Sequence, residues 1–563
     1  MKKNNITVSQ INMHHSTIAI LQTTRFGDLI QTAQAISDLK IQYPHYRIVL
    51  IARNQFAKPL EFIFTKLVDK IYYLDTKTIF QDSETKGLTP TLHSLNQFLF
   101  QISEETIDVL INLSFSKSSA YLASLISASN KTGSFIDRNN RMCINDKWSQ
   151  MLFATVMRGN LNPFSLVDLF RNIIGIKPEP RASITQAFNI KKKNIVIHPF
   201  ASQERKAWRS EKWVEVIYKT LKDHESISIT IVGAKNELLK SQQLLDNPLL
   251  KSFSTRIINL TGKTSIEQLS TEVKNARLFI GHDSMVGHLS ALMNTTSLTI
   301  SLGSVRPQET TPYQSNSYNL SPKTKCFPCF ASDQCENFQC HHDIPHQAIS
   351  SAIKLLLEKS VITPVDVKNG ISSFHLSSIN FYRSKFSNDQ MVLENLIDGN
   401  LDTPEVFRNL YRVTWSFMLS DIELSSPFPR LSQNTHREML TTLAGLQHLF
   451  ELSDFGKRYS RYILEEISSA TPSIIKIKDF SKKIDEIDQL QTMVQKTSPY
   501  LSPFIDYFIV RKANLNGDNI VSLAENSYHA FEECGNLSKI LYELIENAIA
   551  EFKIANPRNE LNK

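Results

Sequence analysis

Four groups of residues in this 563-residue chain have the types and the spacing to do chemistry. The first is His282-Asp283-Ser284, with His288 one helical turn beyond the serine. Apolar Leu278-Phe279-Ile280 precedes it, and Val286, Leu289 and Met293 follow at helical spacing, so a strand runs through a polar turn into a helix. Asp283 and Ser284 then fall where backbone N–H groups point outward and the helix dipole is positive, and an anion is the natural ligand. Taken alone, the two would serve equally well as plain caps.

The second group is Arg25, Gly27 and Asp28, just after the apolar run Thr17 to Gln22. A carboxylate in such a turn takes a proton from a bound hydroxyl, or it is a first-turn acid favoured by the dipole. The third holds Lys206, in Lys206-Ala207-Trp208, and Glu237, which closes Gly233-Ala234-Lys235-Asn236-Glu237. Lys206 offers a point charge suited to phosphate oxygens, where an ordinary loop lysine would be solvated. Glu237 reads as a ligand contact or as another first-turn acid. The fourth is Cys326, Cys329, Cys335 and Cys340, with His341 and His342 adjacent. Four thiols so close suit a structural zinc or iron site, or are simply free.

These groups need scaffolds to hold them. Thr17 to Gln22 reads as a strand, Leu29, Ala33, Ile36 and Leu39 mark a helix, and Arg47 to Ala52 is the next strand. That is the parallel crossover of an open α/β sheet, whose ligand crevice lies at the carboxyl ends of the strands, where Arg25, Gly27 and Asp28 fall. Ile71 to Leu74 and Val109 to Leu113 read as buried strands, Lys117 to Ala128 as a helix, and Gln81 to Thr91 as a loop. A further helix opens at Asn162 to Leu169, capped by Asn162 or Ser165. The pattern then repeats: Asn194 to His198, Ile227 to Val232 and Ile257 to Leu260 read as strands, with helices at Trp213 to Ile217 and Ser265 to Asn275.

Taken together, His282-Asp283-Ser284 with His288, the Gly27-Asp28 turn and the Lys206-Ala207-Trp208 segment closed by Trp213 resemble glycosyltransferase family 9, the ADP-heptose heptosyltransferases. Met285 stands where the family has glycine, and the nearby glycine is Gly287. The resemblance covers roughly residues 16–359. It implies two Rossmann-like α/β domains facing across a cleft, the GT-B arrangement, with residues 1–188 on the acceptor side and 189–360 on the nucleotide-sugar side. It also implies Asp28 as general base, Arg25 and Gly27 beside the acceptor, and Lys206, Glu237, Asp283, Ser284, Gly287 and His288 around the donor. No cofactor is implied for catalysis. The reaction implied is inverting transfer of a heptose-like sugar from ADP-heptose to a lipopolysaccharide-core or related glycan. A protein acceptor is one alternative, and a non-catalytic binding protein on a degenerate glycosyltransferase fold is another.

Composition narrows the setting. The net charge of +7 is unevenly held: residues 1–360 carry +12 and 361–563 carry −5. A basic first part suits anionic ligands or a surface near anionic membrane, while no compact basic run with interleaved aromatics points to nucleic acid. Six cysteines argue against a secreted disulfide framework. Met1 to His15 is polar, and no stretch has the apolar length to span a bilayer, so the expected place is the cytoplasm, with peripheral contact at the inner membrane. Residues 361–563 carry none of the motifs. Met439, Leu443, Leu446 and Phe450, and again Leu541, Ile545, Ala548 and Phe552, repeat at helical spacing, and an all-α domain is expected there.

Overall fold

The computed structural model describes residues 16–77, 87–159, 161–179, 192–330, 332–397, 399, 401–423, 431–515, 517 and 519–555. The chain divides into two compact units. The first holds residues 1–131 and 164–398, and the second 132–163 and 399–563.

The first unit begins with strand β1 (Thr17–Gln22), buried along its whole length, as a parallel strand covered on both faces must be. Helix α1 (Phe26–Gln42) follows and sets Leu29, Ala33, Ile36 and Leu39 against the sheet. Strands β2 (Arg47–Arg53), β3 (Lys70–Leu74) and β4 (Val109–Asn112) complete a run ordered β3-β2-β1-β4, with the pairs parallel. Before β4 lies helix α2 (Leu88–Ser103), where the sequence suggested loop as far as Thr91; residues 81–86 lie outside the described ones. Pro90 does not oppose this, because the first turn of a helix has no N–H bond for proline to remove. After β4 comes helix α3 (Lys117–Leu125). Strands β5 (Asn130–Ile136) and β6 (Met142–Ile144) form an antiparallel hairpin. Helix α4 (Leu166–Ile174) returns the chain to the first unit, and Ser165 caps it by accepting from the Asp168 N–H at 3.1 Å.

The second sheet is built from β7 (Asn194–His198), β8 (Ser228–Ile231), β9 (Ile257–Asn259), β10 (Leu278–His282), β11 (Ser297–Ile300) and β12 (Tyr318–Pro322), all parallel. Two antiparallel strands, β13 (Ile379–Ser387) and β14 (Gln390–Asn395), extend it, giving the order β14-β13-β12-β11-β10-β7-β8-β9. Helices α5 (Ser210–Asp223), α6 (Ile266–Asn275), α7 (Met285–Leu292) and α8 (His346–Glu358) belong to this half. Its core gathers Ile195, Ile197, Trp213, Ile217, Ile280, Leu298, Ile353 and Phe381.

The two halves of this unit are tied by a buried guanidinium. Arg171 of α4 pairs with Asp38 of α1 at 2.8 Å and donates to the Asp389 carbonyl at 2.8 Å, while also meeting the Asp389 carboxylate. The Tyr313 hydroxyl donates to Asp168 at 2.6 Å, and the Met391 N–H to Asp168 at 2.9 Å. Removing one member of such a buried ionic group typically costs about 3–5 kcal/mol, because its partners keep their charge without compensation.

The second unit takes in residues 132–163 and resumes at 399, so residues 361–398, with β13 and β14, stand with the first. The reason is local. Ile379 and Phe381 turn buried side chains into the core of the second sheet, and Asn388 and Asp389 take φ of 50° and 60°, the left-handed pair that closes a two-residue hairpin. The residues flanking the expected 188/189 boundary, 180–191, lie outside the described ones.

Beyond it stand α9 (Thr403–Ser420), α10 (Gln433–Ile467), α11 (Ile474–Thr497), α12 (Ser502–Ala513) and α13 (Ile520–Ala555). α10 and α13 run antiparallel. Ser460 bonds Ser527 at 3.2 Å, Gly456 lies against Phe531, and Ser453 against Gly535. Small residues on α10 let the two backbones approach, and a Cβ at Gly456 would stand 2.4 Å from the Phe531 ring. Met439 and Leu446 are buried as expected, whereas Phe450 of the same stripe is 48 % exposed. Among the described residues no helix is long and apolar enough to cross a membrane.

Candidate active site

The two sheets share one topology. In each, the chain moves outward over three strands and then returns to the other side of the first, so the order reverses between β1 and β4, and again between β7 and β10. Ligand crevices form at the carboxyl ends of strands flanking such a switch point.

At the first mouth, Gln22 ends β1 and organises the turn. Its amide donates to Thr32 Oγ1 at 3.1 Å, and its Oε1 accepts from Thr24 Oγ1 at 2.6 Å and Ser114 Oγ at 2.8 Å. Ser114, beyond β4, accepts from the Thr23 N–H at 2.8 Å. These bonds cross the switch point and fix the loop that delivers Asp28. The Asp28 carboxylate accepts from the Arg25 N–H at 3.3 Å, so it caps the helix and stays only partly buried. The Arg25 side chain is exposed and lies near enough to Arg53 for the two charges to oppose each other. Asn54, Lys58, Asp75 and Lys77 line an open pocket of about 480 Å³ on the same half.

At the second mouth, β7 ends in His198 and β10 in His282. His282 is fully buried, and its Nε2 accepts from the Trp208 N–H at 2.9 Å while Nδ1 faces the Phe200 carbonyl at 3.2 Å. The ring is therefore neutral, with Nδ1 carrying the proton, and burial holds it down to about 3. Its task is to bind the 200–208 loop to the end of β10. Trp208 and Trp213 meet edge to face at 5.5 Å beneath it, as core anchors. Lys206 emerges from this loop, and its Nζ lies 3.4 Å from Asp283. His288 Nε2 lies 3.7 Å from the other Asp283 oxygen. Burial lowers the His288 ring, although Asp283 and then Asp28 pull it upward.

Two observations join the mouths. His288 feels the charge of both Asp283 and Asp28. A Cβ on Gly27 would stand 3.2 Å from His288 Cδ2, so α1 and α7 approach closely at this glycine. Asp28, Lys206, Asp283 and His288 thus share one neighbourhood.

Ser284 and Gly287 take different places from those that local sequence suggested. Ser284 occupies the N-cap position of α7 but makes no side-chain cap; its Oγ turns to His198 Nδ1 at 3.1 Å. The N–H groups of Met285 and Val286 remain at the open first turn, where an anion is favoured. Gly287 faces inward, toward the His282 carbonyl and Phe279, and its N–H is taken by the Ser284 carbonyl at 3.0 Å. Glu237 accepts from the Ala234 N–H at 2.7 Å and lies 3.5 Å from His198 Nε2. Burial raises the Glu237 carboxyl, but His198 and that N–H outweigh it and hold it below the usual range. His198 itself escaped the sequence reading, since a lone histidine before Pro199 looks like an ordinary strand end.

The four cysteines lie near this loop. The Cys329 N–H donates to the Gly303 carbonyl at 3.0 Å, and Arg205 donates to the carbonyls of Phe330 and Asp333 at 3.2 and 3.0 Å. Burial raises the Cys329 thiol, and Cys326, Cys340 and Cys335 add to that. Among the described residues no group of three or more His, Cys, Asp or Glu side chains is arranged to hold a metal ion. The zinc or iron reading of Cys326, Cys329, Cys335 and Cys340 is therefore not supported; they are neighbouring thiols, and the backbone of their segment, through Phe330 and Asp333, holds Arg205 of the loop carrying Lys206.

Known proteins bear on this geometry. A search of curated proteins finds Campylobacter jejuni lipooligosaccharide heptosyltransferase 2, 28 % identical over 175 residues, a match covering 30 % of this chain and 52 % of that one. The match thus spans only about half of that enzyme's length. Lipopolysaccharide heptosyltransferase 1 of Campylobacter coli is 23 % identical over 301 residues, covering 50 % of this chain and 83 % of that one. Among solved structures, Escherichia coli heptosyltransferase WaaC with ADP aligns over 60 % of this chain and 99 % of that one, at 18 % identity and a TM-score of 0.44. The family model of glycosyltransferase family 9 (heptosyltransferase) matches residues 96–339, a range that holds the whole second mouth and begins after the Asp28 turn. Residues 96–339 of this chain are a glycosyltransferase family 9 domain.

Proposed function

We propose that the chain transfers a sugar from a nucleoside diphosphate donor to a hydroxyl of a lipopolysaccharide-core or related glycan, with inversion at the anomeric carbon. The heptosyltransferase description of the matched family supports a heptose-carrying donor, and ADP-heptose is the one proposed. The observation that carries this reading is the continuity from Lys206 through Asp283 and His288 to the Gly27-Asp28 turn. Lys206 and the open first turn of α7 supply positive charge for the diphosphate as it leaves. Asp28 takes the proton of the attacking hydroxyl, and the sugar carbon is approached from the face opposite the leaving group. A diphosphate entering this site competes with Asp283 for Lys206. Arg25 and Arg53, with Lys58 and Lys77 on the same half, suit an anionic acceptor.

The helical unit favours a second reading, in which the acceptor is a protein. It adds over 150 residues outside the matched domain, with its own core around Trp415, Tyr411, Phe504 and Tyr507. One experiment separates the readings. The chain is incubated with radiolabelled ADP-heptose, a truncated lipopolysaccharide and a protein extract. Label on glycolipid supports the first reading and label on protein the second. Label on neither, with no donor binding in a thermal-shift screen of nucleotide sugars, would mean a non-catalytic binding protein and refute both.

A further inference from the structure

Strands β10, β7 and β8 lie side by side, and each end contributes one polar side chain. Ser284 stands beyond β10, His198 closes β7, and Glu237 stands beyond β8. The His198 side chain is 9 % exposed, with Nδ1 at 3.1 Å from Ser284 Oγ and Nε2 at 3.5 Å from Glu237 Oε2. Its backbone is fixed as well: His198 pairs with Gly281, and its ring meets Phe200 edge-on at 5.9 Å.

We propose that His198 is a positioning residue of the donor site, whose ring bridges the Glu237 carboxylate and the Ser284 hydroxyl and thereby aims the Ser284 proton at a diphosphate oxygen. The inference rests on the nucleoside-diphosphate reading of this site and deepens it. The reasoning is proton counting. A serine hydroxyl has one proton to give. On the side facing Glu237, the ring presents Nε2–H to a carboxylate. When Nδ1 also carries a proton, it donates to Ser284 Oγ, and the hydroxyl proton is left for the incoming anion. When Nδ1 is bare, Ser284 donates to the ring and shows the anion only lone pairs. An anion therefore selects the doubly protonated ring, with Glu237 as its counter-charge. That the Ser284 side chain makes no cap bond at the N-cap position fits this use, because no helix N–H is then bonded to its oxygen.

Two substitutions distinguish aiming from mere filling of space. H198N sets an N–H near the place of Nδ1, and H198Q sets one near the place of Nε2. ADP binding is measured by isothermal titration calorimetry, and folding by thermal melting. S284A and H198Q are each expected to weaken ADP binding about 10-fold, the double variant no more than either single one, and H198N about 3-fold at most. Losses that add in the double variant, H198N as weak as H198Q, or H198Q binding like wild type each overturn the proposal. Should either substitution unfold the chain, nitrogen-15 histidine spectra of the wild type with ADP carry the test. Both ring nitrogens of His198 are expected to be protonated in the complex, and a bare Nδ1 there overturns the assignment. Wild-type chain that binds no ADP refutes the donor reading itself, whereas ADP binding indifferent to His198 refutes only this inference.

Discussion

Two sheets with the same reversal of strand order carry very different mouths. The first, between β1 and β4, is a network of neutral groups, Gln22, Thr24, Thr32 and Ser114, that presents one carboxylate. The second, between β7 and β10, gathers Lys206, Asp283, His288, His198 and Glu237 within direct contact of one another or of a shared neighbour. Topology fixes where a ligand sits, and side chains decide what it is. A single base held by a neutral network suits a hydroxyl acceptor; a cluster of charges beside an open helix end suits a diphosphate.

Breaking the first mouth alone should cost the most. D28N keeps an oxygen for the helix cap but cannot accept a proton, so turnover measured by donor consumption should fall about 1,000-fold with ADP affinity nearly kept. A matching loss of affinity would mean that Asp28 belongs to donor binding. Breaking the second mouth should do the converse. K206A should weaken ADP binding about 30-fold in calorimetry, since it removes the charge and leaves Asp283 facing the diphosphate.

Backbone spacing at the second mouth gives a smaller effect. A Cβ at Gly281 would stand 2.8 Å from the Phe279 ring and 2.9 Å from the His198 carbonyl. G281A should therefore destabilise the chain by about 1–3 kcal/mol in denaturant titration and weaken ADP binding through His198. G456A, which crowds Phe531 in the helical unit, should destabilise by a similar amount with ADP binding unchanged.

The smallest effect is a pH slope. Burial, then His198, holds His282 at about 3 against an ordinary value of 6.5. The unfolded chain binds the extra proton between those values, so stability present above pH 6.5 is lost progressively as pH falls toward about 3. H282Q should flatten that slope by up to about 1.4 kcal/mol per pH unit, read from melts between pH 7 and pH 4.5. An unchanged slope would assign the acid sensitivity elsewhere.

Much of this was legible from sequence where the signal is local. β1, α1 and β2 follow from apolar runs and helical spacing, and the Leu278–Leu292 strand, turn and helix follow from a polar break between two apolar patterns. The β13–β14 hairpin was missed although Asn388-Asp389 is a turn signal, because no apolar periodicity separated it from the helical tail. The bridge from Ser284 through His198 to Glu237 could not be read at all. It depends on β10 lying beside β7 and β7 beside β8, which is a property of the sheet and not of any segment.

A crystal structure with a non-transferable nucleotide sugar tests the central claim most directly. The diphosphate should lie between Lys206 Nζ and the N–H groups of Met285 and Val286, with the anomeric carbon turned toward Asp28. A ligand bound elsewhere, or one held at Lys206 with its sugar facing away from Asp28, would contradict the assignment of the two mouths to one reaction.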